Sequence, residues 1–172
     1  MTGLERNADV VEMATYAPLF AHVEGWQWRP DMIWFDNLRS MPTASYYVQQ
    51  MYSLNKGSRV VPATLDGRAA AGLEGQDGIF ATAAYDNATG EYIVKIANTS
   101  DKPQEIRLDF KGLKKNFTTL SAETLHAVAK AENTLDNPDK VQPLKRNRVL
   151  EKGEPLVLDV PARTFGVYRL GF

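Results

Sequence analysis

Two textures of apolar and polar positions meet near Gly57-Ser58. Before that point the pattern is helical and aromatic. Asn7 stands ahead of Val10, Met13, Ala14, Ala17 and Phe20, whose three-and-four spacing predicts a helix with one buried face, kinked or ended early by Pro18. Glu24-Gly25-Trp26-Gln27-Trp28-Arg29-Pro30 then links to Met32-Ile33-Trp34-Phe35. That run is apolar throughout rather than alternating, which predicts a strand buried on both faces. Thr43 is placed to cap a second helix with Tyr47, Val48, Met51 and Tyr52 on one stripe, and Lys56-Gly57 supplies a cation and a C′ glycine for its end. A buried parallel strand needs neighbours on both edges and helices above it. Residues 1–57 therefore read as a helix-strand-helix remnant of a (β/α)8 barrel, and the chain as the tail of a larger enzyme.

After Gly57, short β-prone runs recur between turn signals: Val60 to Leu65, Ile79 to Tyr85, Glu91 to Asn98, Glu105 to Phe110, Phe117 to Leu120, Arg148 to Leu150, Leu156 to Val160 and Thr164 to Leu170. The second and third flank Asp86-Asn87-Ala88-Thr89-Gly90 and predict a hairpin. Tyr92, Val94 and Ile96 alternate with Ile93, Lys95 and Ala97, giving one core face and one mixed face. Ala122 to Asn133 fits either a strand running into a loop or a helical turn. Many short strands at this spacing predict a mainly β fold, an antiparallel, jelly-roll-like β-sandwich over residues 58–172.

Composition narrows the function. Of 172 residues, 44% are hydrophobic and 24% charged, an ordinary globular balance. A net charge of −1 gives no electrostatic ground for a nucleic-acid or anionic-membrane partner, and no stretch approaches the roughly 20 apolar residues of a membrane span. The chain has no cysteine, so thiol catalysis and zinc–thiolate sites are excluded and either redox compartment suits it. The histidines His22 and His126 have no second ligand at metal spacing, and neither a phosphate-binding glycine loop nor a serine-hydrolase elbow occurs. No metal or other cofactor is expected.

Position must discriminate among the many carboxylates. Active sites of βα barrels lie at the C-terminal ends of the strands. That rule puts Asp36, Asn37 and Arg39 forward as substrate-lining candidates, against an equal reading in which Asp36 or Asn37 caps the loop and Arg39 is a structural ion-pair partner. Glu24, Trp26 and Trp28 precede the strand, where they read as plugs of the barrel floor.

Leu4-Glu5-Arg6-Asn7-Ala8-Asp9-Val10-Val11, Tyr16-Ala17-Pro18-Leu19-Phe20, Trp28-Arg29-Pro30-Asp31, Phe35-Asp36-Asn37 and Ser45-Tyr46-Tyr47-Val48-Gln49 resemble the C-terminal part of glycoside hydrolase family 51 α-L-arabinofuranosidases. Asp136-Asn137-Pro138-Asp139-Lys140-Val141 and Pro161-Ala162-Arg163-Thr164-Phe165 resemble that family's closing sandwich. The resemblance implies a retaining glycosidase that releases terminal α-L-arabinofuranosyl groups from arabinan, arabinoxylan or related hemicellulose, with Pro30 to Gln50 in its eighth βα unit. Retention uses two carboxyl groups about 5–5.5 Å apart, which in this family are glutamates on earlier barrel strands. None of Glu5, Glu12, Glu24, Glu74 or Glu91 matches either position, so no catalytic residue is assigned. The implied partners are the rest of the barrel and an arabinose-containing polysaccharide or oligosaccharide, with a homo-oligomeric parent also open. A carbohydrate-binding module and a purely structural or assembly module are the alternative readings.

Overall fold

The computed structural model describes residues 1–172. The chain begins with a short helix, α1 (Thr2–Arg6), which ends where a longer one was expected to begin. Asn7 does not start a helix. Its Nδ2 donates back to the Gly3 carbonyl at 2.7 Å, and residues 11–19 form neither helix nor strand. The supposed apolar face is bare, with Val10 75% and Met13 82% exposed. A short helix needs tertiary burial of one face to persist, and nothing in this chain covers these side chains.

Three strands follow: β1 (Phe20–His22), β2 (Ile33–Phe35) and β3 (Ser40–Pro42). β1 runs parallel to β2, with Ala21 opposite Trp34, and β2 turns back antiparallel into β3. The expected lone strand is thus the centre of a small mixed sheet. Only one of its faces is buried. Ala21, Trp34 and Met41 close against Val23 and Leu135, whereas Phe20 on the other face is exposed. Two-sided burial fails within this chain because nothing packs over that second face.

Helix α2 (Ala44–Leu54) starts at Thr43, whose Oγ1 accepts from the Tyr46 N–H at 3.5 Å. Met51 and Tyr52 are buried and Tyr47 and Val48 partly so, as the stripe requires. Burial of each large side chain stabilises by about 1.5–3 kcal/mol. The helix does not end on the Lys56-Gly57 pair: Asn55 is the cap, its Nδ2 donating to the Met51 carbonyl at 2.9 Å. Gly57 follows at φ +72°, and a Cβ there would meet the Ala84 Cβ at 2.8 Å, so glycine lets the chain cross closely over the sheet.

The remaining strands are β4 (Arg59–Val61), β5 (Thr64–Leu65), β6 (Arg68–Ala69), β7 (Ile79–Asp86), β8 (Glu91–Asn98), β9 (Gln104–Leu108), β10 (Thr119–His126), β11 (Leu144–Val149), β12 (Leu156–Val160) and β13 (Thr164–Gly171). Six form one sheet in the order β11-β10-β13-β8-β7-β4, with β12-β9 and β5-β6 as smaller pairs. Every pairing among them is antiparallel, and the architecture is an antiparallel β-sandwich. The β7–β8 hairpin has Asp86 opposite Glu91, and Ala122 to Asn133 resolves as the end of β10 and then a loop. One face of the large sheet (Val94, Ile96, Leu170) joins Leu158 and Val160 of the small pair in the main core.

The mixed face is buried too. Ile93, Phe165 and Val167 lie under Met51 and Tyr52 of α2, with the Tyr52 and Phe165 rings stacked at 4.9 Å. Lys95 on this face is 0% exposed. Its ammonium pairs with Glu5 of α1 and lies 5.2 Å over the Tyr52 ring. Burial pulls the Lys95 pKa below its ordinary value, against the Glu5 carboxylate that holds it up. Arg6 adds bonds to the Ala70 and Ala81 carbonyls at 2.8 and 3.0 Å, so both helices of residues 1–57 are fastened to the sandwich.

Candidate functional site

Asp36, Asn37, Leu38 and Arg39 form the reversal between β2 and β3, closed by the Asp36 N–H donating to the Arg39 carbonyl at 3.0 Å. An aspartate at such a turn accepts from the backbone two and three residues on. Here Oδ1 takes the Leu38 and Arg39 N–H groups at 2.8 and 2.7 Å. The second oxygen, Oδ2, receives both Arg39 Nε and a terminal nitrogen at 3.0 and 2.9 Å, two charge-assisted bonds on one oxygen. The remaining arm of the guanidinium crosses to the sandwich and meets Asp136 Oδ1 at 3.0 Å.

These contacts explain the local electrostatics. The Leu38 N–H, then the Arg39 side chain and N–H, hold the Asp36 carboxyl below its ordinary value, and Asp36 and Asp136 together raise Arg39. The charges on Asp36 and Arg39 are thus committed to each other and to Asp136. Asn37 is exposed at the tip beside Leu38, which is 95% exposed. The structure therefore brings Asp36 and Arg39 together and leaves the Asn37 amide at the surface. Nothing here is arranged for proton transfer, because the Asp36 carboxylate, held below its ordinary pKa, is a poor base and the raised arginine is a poor acid.

The other chemical groups lie elsewhere. His22 Nδ1 accepts from the Glu24 N–H at 3.2 Å, and its ring packs edge-on against Phe35. His126 Nδ1 lies 3.0 Å from the Ala162 carbonyl and from Thr164 Oγ1. No three carboxylate or imidazole groups converge as metal ligands. Trp26 meets Trp34 edge-on at 5.6 Å under the Arg29 guanidinium. Trp28 is exposed and plugs nothing within this chain.

Sequence reasoning missed Asp136, since no local signal links it to a residue 97 positions away. It also passed over Asp31, which is 2% exposed, and Asn133. Asn133 closes the seam between the small sheet and the sandwich: Nδ2 donates to the Pro42 and Val141 carbonyls, both at 2.9 Å, and Oδ1 accepts from the Val141 N–H at 2.6 Å.

Comparisons with known proteins place this arrangement in context. The model of the "Alpha-L-arabinofuranosidase C-terminal domain" family matches residues 1–163. An extracellular exo-α-L-arabinofuranosidase of Streptomyces chartreusis is 58% identical over 62 residues, 36% of this chain and 8% of that protein. Alpha-L-arabinofuranosidase 2 of Arabidopsis thaliana is 29% identical over 172 residues, 99% of this chain and 25% of its own length. A solved arabinose-bound MgGH51 α-L-arabinofuranosidase superposes with a TM-score of 0.87 at 27% identity, covering 99% of this chain and 26% of that one. The GH51 arabinofuranosidase of Xanthomonas axonopodis pv. citri, at 17% identity and a TM-score of 0.71 over 97% of this chain and 33% of that one, shares the fold. The chain thus spans a quarter or less of the length of these two curated relatives.

Proposed function

Since the chain belongs to the α-L-arabinofuranosidase C-terminal domain family, we propose that it is the non-catalytic C-terminal part of a retaining glycosidase. The whole enzyme releases terminal α-L-arabinofuranosyl groups from arabinan, arabinoxylan or related hemicellulose. In this reading residues 1–57 complete a (β/α)8 barrel and residues 58–172 are a sandwich that buttresses it. The observation that carries the reading is the β1–β2–β3 sheet, in which parallel strands are paired but one face is left bare. All-parallel sheets are covered on both sides, and a catalytic barrel supplies the parallel neighbours and the cover that this mixed three-stranded sheet lacks. The proximity of the fold to the arabinose-bound relative supports it.

The two carboxyl groups that a retaining mechanism needs belong, in this reading, to the rest of the barrel. Purified 1–172 is then inert toward a nitrophenyl α-L-arabinofuranoside, and joining it to a family barrel carrying both glutamates gives turnover. Hydrolysis by the clean 1–172 chain sinks the proposal. Asp36, Asn37 and Arg39 are proposed as secondary substrate-lining residues at the mouth of the completed barrel. Asp36 and Arg39 act by holding the hairpin, and Asn37 by touching sugar. Asn37→Ala in the joined enzyme should raise KM several-fold with little change in kcat, and an unchanged KM removes Asn37 from the site. A role of the sandwich in homo-oligomer contacts is tested by sedimentation of the joined enzyme with and without residues 58–172.

A further inference from the structure

Between the small sheet, the start of α2 and the loop at 131–141 lies an open cleft of about 400 Å³, within the roughly 300–1,000 Å³ range of small-molecule sites. Asp31 lines it. The side chain is almost wholly buried, yet its Oδ2 has no donor in this chain. Buried carboxylates are ordinarily paired or hydrogen-bonded, because leaving the charge without a donor is costly. The Thr43 hydroxyl donates to the Asp31 main-chain carbonyl at 3.1 Å, which sets Asp31 at the N-terminal end of α2. The positive end of the helix moderates the cost but supplies no bond.

Elimination identifies the polar groups still free to bind. Asn133 and Thr43 also line the cleft, but their side chains are engaged by Pro42, Val141, Asp31, Met32 and Tyr46. What remains is the Asp31 carboxylate and, at the exposed rim, Glu132 as acceptors, with Ser45, Arg29 and the Thr134 hydroxyl as donors. Ser45 lies in the first turn of α2, where backbone N–H groups lack intrahelical partners, and the Arg29 guanidinium, lying over the Trp26 and Trp34 rings, has one hydrogen-bond partner, the exposed Glu132 at 3.5 Å. Met41 and Val141 provide an apolar lining between them.

This combination discriminates among ligands. An anion meets Asp31, and a cation meets Arg29 and the helix N-terminus. A neutral hydroxyl-rich molecule satisfies both sides, since a hydroxyl donates to Asp31 while its neighbour accepts from Ser45 or Arg29, and its C–H surface lies on Met41 and Val141. We propose that the cleft is a binding site for a neutral polyol, of the size of a single monosaccharide unit. It is a holding site, with one buried carboxylate, Asp31, and the second carboxyl group of the lining, Glu132, exposed and paired with Arg29. The site spans the seam between the N-terminal sheet and the sandwich, so occupancy fastens the two together. The proposal does not depend on which reaction the joined enzyme performs.

The test is a titration of the full 172-residue chain with L-arabinose, D-xylose or methylammonium chloride, followed through the Ser45 and Val141 amides and the Trp34 indole N–H by NMR. Saturable shifts at these three positions with at least one sugar are expected. Asp31→Asn should weaken binding roughly tenfold or more, the loss of one hydrogen bond to a charged group. Ser45→Ala, at the rim and safe for folding, should weaken it a few-fold. Absence of saturable shifts with both sugars overturns the proposal, as do unchanged affinities in Ser45→Ala and in a folded Asp31→Asn. Saturation by methylammonium at lower concentration than by either sugar also overturns it, assigning Asp31 to a cation instead.

Discussion

The ion pair between Glu5 and Lys95 joins residues 90 apart in the sequence and sits under α1 and α2 on a face of the large sheet. Lys95 is wholly buried, the Glu5 side chain is 11% exposed, and Glu5 Oε2 has no partner. Removing one member of such a pair leaves the other charge buried and uncompensated, typically at about 3–5 kcal/mol. Glu5→Ala is therefore expected to destabilise by about that amount, a large share of the roughly 5–15 kcal/mol that holds a domain together. Lys95→Met should cost less, because Glu5 keeps some access to water. The double variant Glu5→Leu/Lys95→Met should lie within about 1 kcal/mol of the parent or above it, since an apolar pair avoids both desolvation penalties. Urea unfolding of these variants and of Glu5→Leu, the single that closes the cycle, followed by tryptophan fluorescence and far-UV circular dichroism, gives the coupling directly. A pH arm adds a sign. The Lys95 pKa is lowered from 10.5 on folding. Between the folded value and 10.5 the unfolded chain binds more protons, so this group makes stability rise with pH across that window. In Glu5→Ala the window should extend to lower pH. A cost below about 1 kcal/mol for Glu5→Ala, or a double variant as unstable as the sum of the singles, would refute the account of a desolvated, mutually dependent pair.

Tyr168 is buried with an unpartnered hydroxyl, and burial pushes its pKa up to about 12. Tyr168→Phe should be neutral or stabilising by about 1 kcal/mol in thermal unfolding and should remove one late-titrating tyrosine from a spectrophotometric titration, leaving the still later Tyr52 in place. The ring lies over Gly166, where a Cβ would sit 2.6 Å from the hydroxyl. Gly166→Ala should accordingly cost about 1–3 kcal/mol by overpacking, measured by the same melt. Asn133→Ala breaks one bond across the seam to Pro42 and two within the loop to Val141, and should destabilise by about 2–3 kcal/mol, with faster amide exchange at Val141. The Asp36 carboxyl titrates below 3.8, so its hold on the hairpin is complete above that value and is lost as pH falls through the folded pKa. The Leu38 and Arg39 amide signals should report that transition in acid and be insensitive to pH there in Asp36→Ala.

Local pattern carried the parts of the fold whose partners are close in sequence. β8 lies at Glu91–Asn98 and β12 at Leu156–Val160, where alternation bounded by turn residues puts them. Thr43 caps α2 because its side chain needs only the N–H three residues on. The Asp36 turn is legible in the same way: aspartate meets the N–H groups of its own next residues wherever the chain reverses. The division at 57/58 likewise follows from a change in period, and it is a proposal about how the chain is organised.

Tertiary structure decided what depends on distant surfaces. The spacing of Val10, Met13 and Phe20 describes a helical face, but a face becomes a helix only when something covers it, and these side chains remain exposed. Lys95 stands on the mixed face of its strand and is wholly buried because α1 and α2 fold over that side. Asp31 and Asp136 take their surroundings from elements far along the chain, the one in a cleft against the 131–141 loop, the other on Arg39. Periodicity states which side chains share a face. Only the folded topology states what that face meets, and burial, pairing and any site are properties of the meeting.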